Sequence, residues 1–367
     1  MEDSKFMKEA LLLAEKGCGL VNPNPMVGAV IVKNNEIIGR GYHESFGGPH
    51  AEINALASCT RSPIGATMYV TLEPCCHYGK TPPCTDAILH SGISRIVIGS
   101  EDPNQIIAGK GMKLLKAGGM EVVYGVMERE CSQLNEVFFH FIQTKRPFLV
   151  LKYAMTMDGK IATYQGESRW ITGETAREKV HKDRNRYAGV MVGVNTVIAD
   201  DPLLTCRLEN GRNPVRIICD TNLKTPLNSN LVKTADSIST IIATTYSAPD
   251  KHKPYIEAGC KIMIVTKEGE YLDFKELIKK LGETGIDSIL LEGGGSLNWS
   301  ALKSGYVNKV QCYISPKLFG GMNALTPVGG MGVEYPKDAI ILTGSTITQL
   351  GDDFLIESKV SKKCLLE

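Results

Sequence analysis

The sequence predicts an α/β protein built as two domains. Three observations carry that prediction. The 367-residue chain is longer than one hydrophobic core normally serves, since single cores stop growing at about 250–300 residues. Short β-branched runs alternate with helical patterns along the whole chain. The run Thr144-Lys145-Arg146-Pro147 interrupts that alternation near the middle, because the residue before a proline resists helix. The expected division is therefore 1–146 and 147–367.

In the first part, an opening amphipathic helix carries Met7, Leu11, Ala14 and Cys18 at helical spacing. Glu9, Glu15 and Lys16 break any apolar core there, which excludes a secretory signal. Val27–Val32 reads as a strand, Asn34-Asn35 as a turn, and Ile37–Gly41 as the return strand. A helix starts near His50 and is expected to pack Ile53, Ala55, Leu56 and Ala57 inward. Thr67–Leu72 is a strand by composition, and Pro82-Pro83 leads into a helix through Ala87-Ile88-Leu89. Arg95–Gly99 and Met120–Tyr124 are further strands, and a helix through Leu134–Phe139 closes the domain. The second part opens with the strand Phe148–Lys152. Further strands are expected at 190–193, 215–218, 240–243, 261–265, 288–291 and 310–314.

Composition narrows the function. Apolar residues make up 43% and charged residues 22%, which argues against disorder. No apolar run reaches the ~18 residues a membrane span needs. The net charge is +1, with 14 basic against 15 acidic residues before Pro147 and 27 against 25 from there on. Neither half has the basic excess of a nucleic-acid binder, so a small-molecule substrate is expected, with no nucleic acid and no membrane. Eleven cysteines, an odd number without an export signal, point to reduced thiols and a cytoplasmic location. Cys59, Cys131, Cys219 and Cys312 have apolar neighbours and read as small core residues.

The chemistry concentrates in two segments, His50-Ala51-Glu52 and Glu73 to Cys84 (EPCCHYGKTPPC). One imidazole and two thiols make a three-ligand zinc site with its fourth position open, the pattern of a catalytic ion. Adjacent Cys75 and Cys76 do not readily share one ion. Cys75 follows Pro74 at a strand end, and Cys84 opens the next helix, whose N-terminus favours a thiolate. His50, Cys75 and Cys84 are therefore the expected ligands, and Glu52 the proton carrier. Zinc deaminases share the His-x-Glu and Pro-Cys elements but space their cysteines Cys-x-x-Cys. Here eight residues separate Cys75 from Cys84.

That departure is diagnostic. The stretch Thr71–Cys84 resembles the deaminase half of the bifunctional riboflavin-biosynthesis deaminase/reductase family. So do Asn22-Pro23-Asn24-Pro25-Met26-Val27-Gly28-Ala29-Val30, Asp102-Pro103-Asn104 and Gly109-Lys110-Gly111. The resemblance implies a cytidine-deaminase-like α/β/α domain. Its implied reaction is hydrolytic deamination of 2,5-diamino-6-(5-phosphoribosylamino)pyrimidin-4(3H)-one. The family's substrate contacts fall on Asn24, His43, Lys80, Asp102 and Asn104.

The likeness continues through Lys152–Ala162 (KYAMTMDGKIA), which resembles the opening of the family's dihydrofolate-reductase-like α/β domain. Thr156-Met157 stands where that family more often has Ser-Leu. Ser168–Thr172, Gly193–Pro202 and Leu203–Arg207 fit the same pattern. This half is then expected to reduce ribosyl to ribityl with NADPH. By the resemblance, Ala154, Trp170, Thr196, Asp200, Thr221, Gly294, Gly295 and Ser296 hold the cofactor. Ser168, Arg184, Leu204, Arg207 and Glu292 meet the substrate, and Lys152 is the candidate catalytic residue. Taken alone, Arg184 reads equally well as a solvated helix charge and Trp170 as a core residue. Glu292-Gly293-Gly294-Gly295-Ser296 is a strand–turn–helix junction of the kind that binds phosphate, although Asn298 spoils the G-x-G-x-x-G fingerprint. A homo-oligomer, dimer or tetramer, is also expected. Two other readings compete: a nucleoside or RNA-editing deaminase with an unrelated second module, and a non-catalytic zinc protein whose second half only binds a nucleotide.

Overall fold

The computed structural model describes residues 2–78, 82–104 and 108–361. The chain divides into two compact units, Met1–Lys145 and Arg146–Glu367.

In the first unit a five-stranded sheet lies between two helical layers. Its elements run α1 (Glu2–Ala14), β1 (Gly28–Lys33), β2 (Glu36–Tyr42), α2 (Ala51–Ala57), β3 (Thr67–Leu72), α3 (Cys84–His90), β4 (Arg95–Ser100), α4 (Lys110–Ala117), β5 (Glu121–Tyr124), α5 (Glu128–Leu134) and α6 (Glu136–Thr144). The strand order is β2-β1-β3-β4-β5. β1 pairs antiparallel with both β2 and β3, while β3, β4 and β5 run parallel. Asn34 and Asn35 both have positive φ, the type I′ geometry that joins tightly twisted strands. Alternation along β1 separates two cores. Val30 and Val32 meet Phe6, Met7, Ala10 and Cys131 on one face. Ala29 and Ile31 meet Ala51, Ala55, Ile88 and Leu115 on the other.

Two sequence expectations need correction here. Ala57 is exposed, since the inward stripe of α2 runs through Ala51 and Ala55. The helix expected through 134–139 breaks at Asn135, which separates α5 from α6. The Asn135 side chain accepts the Met26 N–H at 2.8 Å and donates to the Met26 carbonyl at 2.9 Å. Those bonds to a distant strand entry outweigh one more turn of continuous helix.

The second unit contains β6 (Phe148–Thr156), α7 (Glu174–Arg186), β7 (Gly189–Gly193), α8 (Val194–Asp200), β8 (Val215–Cys219), α9 (Asn230–Lys233), β9 (Thr240–Thr244), α10 (Pro249–Glu257), β10 (Lys261–Ile264), β11 (Lys267–Glu268), β12 (Tyr271–Leu272), α11 (Phe274–Glu283), β13 (Ser288–Leu291), α12 (Gly295–Lys303), β14 (Val307–Ser315), β15 (Leu342–Leu350) and β16 (Asp353–Val360). A nine-stranded sheet has the order β10-β9-β8-β7-β13-β6-β14-β16-β15. From β10 to β14 every neighbouring pair is parallel, so these strand ends and their loops gather along one edge. Val190 and Val192 pack on one side with Ile218, Leu231 and Ile242. Met191 packs on the other with Leu149, Leu151, Ile217 and Leu277.

The hairpin β15–β16 lies outside the sequence expectation. Its strands are polar, and β15 is an exposed edge, so neither shows the apolar run of a buried strand. β6 also runs four residues further than expected, to Thr156.

Gly28 gives the fold of the first unit a direct test. A Cβ there would lie 2.0 Å from the Ala10 carbonyl and 2.7 Å from the Ala14 nitrogen, both backbone atoms of α1. Gly28→Ala is expected to cost about 3 kcal/mol or more by forcing α1 off the sheet. Thermal melts of the variant and the parent check it, and an unchanged melting temperature would mean α1 is not seated there.

Candidate active sites

In the first unit the ligand set assembles at two helix starts. His50 immediately precedes α2, and Glu52 in its first turn is only 3% exposed. Cys84 is the first residue of α3, and its backbone N–H donates to the Cys75 sulfur at 3.3 Å. The His50 Nδ1 atom is 3.5 Å from Cys75 Sγ and 3.3 Å from Cys84 Sγ. All three ligand atoms lie within 4.8 Å of one another. Tetrahedral nitrogen and sulfur ligands at zinc bond lengths stand about 3.5 Å apart, so the cluster fits that ion. Cys76 is outside this cluster.

The electrostatics divide the two thiols: the hydrogen bond with Cys75 and burial push the Cys84 thiol up. Hydrogen bonding from Cys84 and His50 draws the Cys75 thiol far down toward thiolate, against the opposing effect of burial. The hydrogen bond to Cys75 raises His50. Burial pushes the Glu52 carboxyl upward, the direction suited to a group that takes and returns a proton.

Around this cluster, His43 Nδ1 donates to the Pro49 carbonyl at 3.0 Å. Its Nε2 therefore accepts from the Asn24 amide at 3.2 Å. Burial lowers the His43 pKa, consistent with that neutral tautomer. The His43 and His50 rings meet edge to face, with centroids 5.5 Å apart. Asp102 accepts the Asn104 N–H at 2.8 Å, and burial raises its pKa to about 6. The structure thus joins Asn24 and His43 to the ligand set and pairs Asp102 with Asn104. Lys80 lies outside the described residues.

The second unit holds a cavity of about 1250 Å³ along the C-terminal ends of the parallel strands. The residues expected to hold the cofactor line it together: Ala154, Trp170, Thr196, Asp200 and Thr221, with Gly294, Gly295 and Ser296. So do the substrate candidates Ser168, Arg184, Leu204, Arg207 and Glu292, and Lys152 beside them. Gly294 has φ +75, and a Cβ on it would press on Thr196 Oγ1 at 3.3 Å. That turn and the N-terminus of α12 leave backbone N–H groups for a pyrophosphate, and the cavity has room for a dinucleotide beside a substrate.

Residues 147–356 match the model of the RibD C-terminal domain, and residues 1–100 match the zinc-binding region of cytidine and deoxycytidylate deaminases. The riboflavin biosynthesis protein RibD of Actinobacillus pleuropneumoniae is 51% identical over 97% of this chain and 95% of its own. The chain belongs to the RibD family. A solved deaminase/reductase from Thermotoga maritima, acting by its description on diaminohydroxyphosphoribosylaminopyrimidine and 5-amino-6-(5-phosphoribosylamino)uracil, superposes with a TM-score of 0.84. It is 39% identical and covers 98% of this chain and 99% of that one. RibD of Acinetobacter baumannii gives 0.87 at 32% identity, covering 98% and 99%. The second module is thus the RibD reductase domain and not an unrelated one.

Within this RibD-family chain, several contacts go beyond the sequence reading. Glu73, at the head of the cysteine segment, is buried. Its carboxylate accepts N–H groups from Gly109 at 3.0 Å and Met112 at 3.1 Å, tying the start of α4 to the cysteine segment. A Cβ on Gly111 would lie 2.3 Å from the Pro74 carbonyl, which explains the glycine in Gly109-Lys110-Gly111. Trp170 is 60% exposed with the Arg177 guanidinium 4.6 Å above its ring, so the core reading fails. Arg184 is a buried partner and not a solvated charge. It holds Glu292 through two bonds, 2.6 and 2.9 Å, and donates to the Thr205 carbonyl at 3.1 Å. Lys152 stands 3.8 Å from the same carboxylate, which leaves exposed Arg207 as the freer guanidinium for a phosphate.

Burial opposes the charge on Glu292, yet Arg184 and Lys152 hold its carboxyl down to about 2. Because the folded value lies below the ordinary 4.5, its stabilisation is present above about pH 4.5. It is lost as pH falls toward 2. Glu292→Gln leaves two buried cations short of a counter-charge and is expected to cost the second unit about 3 kcal/mol at pH 7. The variant should converge on the parent in acid. Both tryptophans, Trp170 and Trp299, lie in that unit, so urea melts followed by tryptophan fluorescence across pH report it directly.

Proposed function

We propose that the two units perform consecutive reactions of riboflavin biosynthesis. The deaminase unit removes the amino group from ring carbon 2 of 2,5-diamino-6-(5-phosphoribosylamino)pyrimidin-4(3H)-one. Zinc held by His50, Cys75 and Cys84 supplies the Lewis acidity that makes water a competent nucleophile near neutral pH. Glu52 takes the first proton of the attacking water and gives it to the ring nitrogen, then moves the second, from the new hydroxyl, to the amino group, which leaves as ammonia while the carbonyl forms. Its burial keeps that proton exchange away from bulk water. Asn24, His43, Asp102 and Asn104 orient the pyrimidine, and Lys80 meets the ribose phosphate.

In the reductase unit, bound NADPH would be the hydride source for reducing C1′ of the ring-opened sugar of 5-amino-6-(5-phosphoribosylamino)uracil to the ribityl amine. Ala154, Trp170, Thr196, Asp200, Thr221 and the Gly294-Gly295-Ser296 turn hold the cofactor. Ser168, Leu204 and Arg207 face the substrate, with Arg184 fixing Glu292. Lys152, largely buried and 3.8 Å from that carboxylate, brings the proton that balances the hydride. Positioning in the cavity supplies much of the rate. The observation that carries the whole reading is the convergence of His50, Cys75 and Cys84 beside buried Glu52.

Two further statements concern the protein as a whole. Among the described residues no helix is long and apolar enough to cross a membrane. None of the ten cysteines described is joined in a disulfide, which supports a reducing, cytoplasmic setting. A homo-oligomer, dimer or tetramer, is supported by β15, an edge strand exposed along nearly its whole length with Ile347 outward. Light scattering of the purified chain should give two or four times the 40.0 kDa chain mass. A monomer at micromolar concentration would contradict it.

Glu52→Gln tests the catalytic reading against the non-catalytic one. The variant should bind zinc as the parent does and lose deamination by about 100-fold or more. Reduction of the already deaminated substrate should continue. Metal analysis and the two separate assays decide it; unimpaired deamination removes Glu52 from the mechanism.

A further inference from the structure

The cavity of the second unit follows the sheet order, and that order gives a ligand lying in it a direction. Lys152 and Glu292 stand at β6 and β13, with Arg184 against them. The glycine turn after β13 comes next, against the turn after β7; a Cβ on Gly293 would lie 3.1 Å from the Gly193 nitrogen. The turn after β8, with Asp220, Thr221, Asn222 and Lys224, is the following station. From β6 to β8 is three strand spacings, about 14 Å, within the reach of an extended dinucleotide. If hydride is delivered beside Lys152 and Glu292, and the pyrophosphate sits at the start of α12, the adenosine half extends toward β8.

The β8 turn is unusually well braced for a surface loop. Buried Asp220 accepts both the backbone N–H and the hydroxyl of Thr225 at 2.7 Å. The Tyr255 hydroxyl donates to the Thr225 carbonyl at 2.6 Å. Thr244 and Thr245 hydroxyls donate to the Thr221 carbonyl at 3.2 and 2.9 Å. Leu223, with φ +55, makes the bend. On this braced turn Lys224 is exposed, and no acidic group pairs with it among the described residues.

The other cations lining the cavity are differently placed. Lys152 and Arg184 serve Glu292, and Arg207 acts on His181 in the same group. Arg177 stacks on Trp170, and Arg169 donates to the Asp200 carbonyl at 2.5 Å. Among the described lining residues, Lys224 is thus the cation of the β8 end.

We propose that Lys224 receives the 2′-phosphate of NADPH, with Thr221 and Asn222 beside it as neutral donors, and so sets the preference for NADPH over NADH. A phosphate monoester on the ribose is largely a dianion near neutral pH, and a turn that is already braced presents the ammonium without further ordering of the backbone. The inference rests on the cavity being the NADPH site.

Calorimetric titration of the full-length, zinc-loaded protein with 2′,5′-ADP and with 5′-ADP separates the two ideas. The parent should bind 2′,5′-ADP more tightly than 5′-ADP. Lys224→Ala should weaken 2′,5′-ADP by about tenfold and leave 5′-ADP unchanged. Lys224→Arg should keep the preference, and Lys224→Glu should weaken 2′,5′-ADP further than alanine does. If both nucleotides bind the parent and Lys224→Ala leaves their ratio intact, the assignment of Lys224 is wrong while the cofactor site stands. If neither binds the parent, the reading of the cavity falls and the inference with it.

Discussion

An ionised side chain taken out of water costs several kcal/mol unless a counter-charge or hydrogen bonds replace its hydration, and both units are arranged around groups of this kind. In the first, Glu52 is buried next to a histidine and two thiols whose ligand atoms lie within 4.8 Å of one another, and burial pushes its carboxyl up toward the neutral form. In the second, Glu292 is buried between Arg184 and Lys152. The same requirement explains Glu73, whose carboxylate is out of solvent and accepts N–H groups at the start of α4. It also explains Arg216, which is fully buried in β8. Its guanidinium donates to the hydroxyls of Thr234 and Thr240 and to the carbonyls of Leu231, Thr234 and Ile238.

These polar centres also connect the scaffold to the chemistry. The parallel strands of each unit send their C-terminal ends to one edge, where loops lead directly into helices. At those junctions backbone N–H groups are unpaired and favour negative charge. Cys84 at the start of α3 uses this to stabilise the neighbouring thiolate. The Gly294–Ser296 turn at the start of α12 offers the same property to an anionic ligand. One structural habit of α/β folds therefore serves a metal in one unit and a nucleotide in the other.

Much of the candidate site was legible because its residues are close in sequence or sit in long motifs. His50 and Glu52 are two residues apart, and Cys75 and Cys84 share one strand–loop–helix segment. The partnership of Arg184 with Glu292 was not legible, because 108 residues separate them and an arginine on a charged helix looks solvated. Trp170 shows the converse error: a large aromatic reads as core until the fold leaves it facing a cavity. Asn135 interrupts a helix for the sake of Met26, 109 residues away, and no local pattern carries such a bond. The polar hairpin β15–β16 escaped for a related reason, since its pairing partner β14 supplies the order that its own composition does not.

The sequence by itself determined the α/β class, the positions of the buried strands along the chain, the candidate metal ligands and the family, since each is written in local periodicity or in contiguous motifs. Tertiary structure alone decided which charges pair and which stay free. Arg184 was committed to a carboxylate, Arg216 was buried, and Lys224, on a braced turn, was left without an ion-pair partner among the described residues. Periodicity reports which face of an element is apolar, whereas the partner of a charge depends on which distant segments the sheet order brings together.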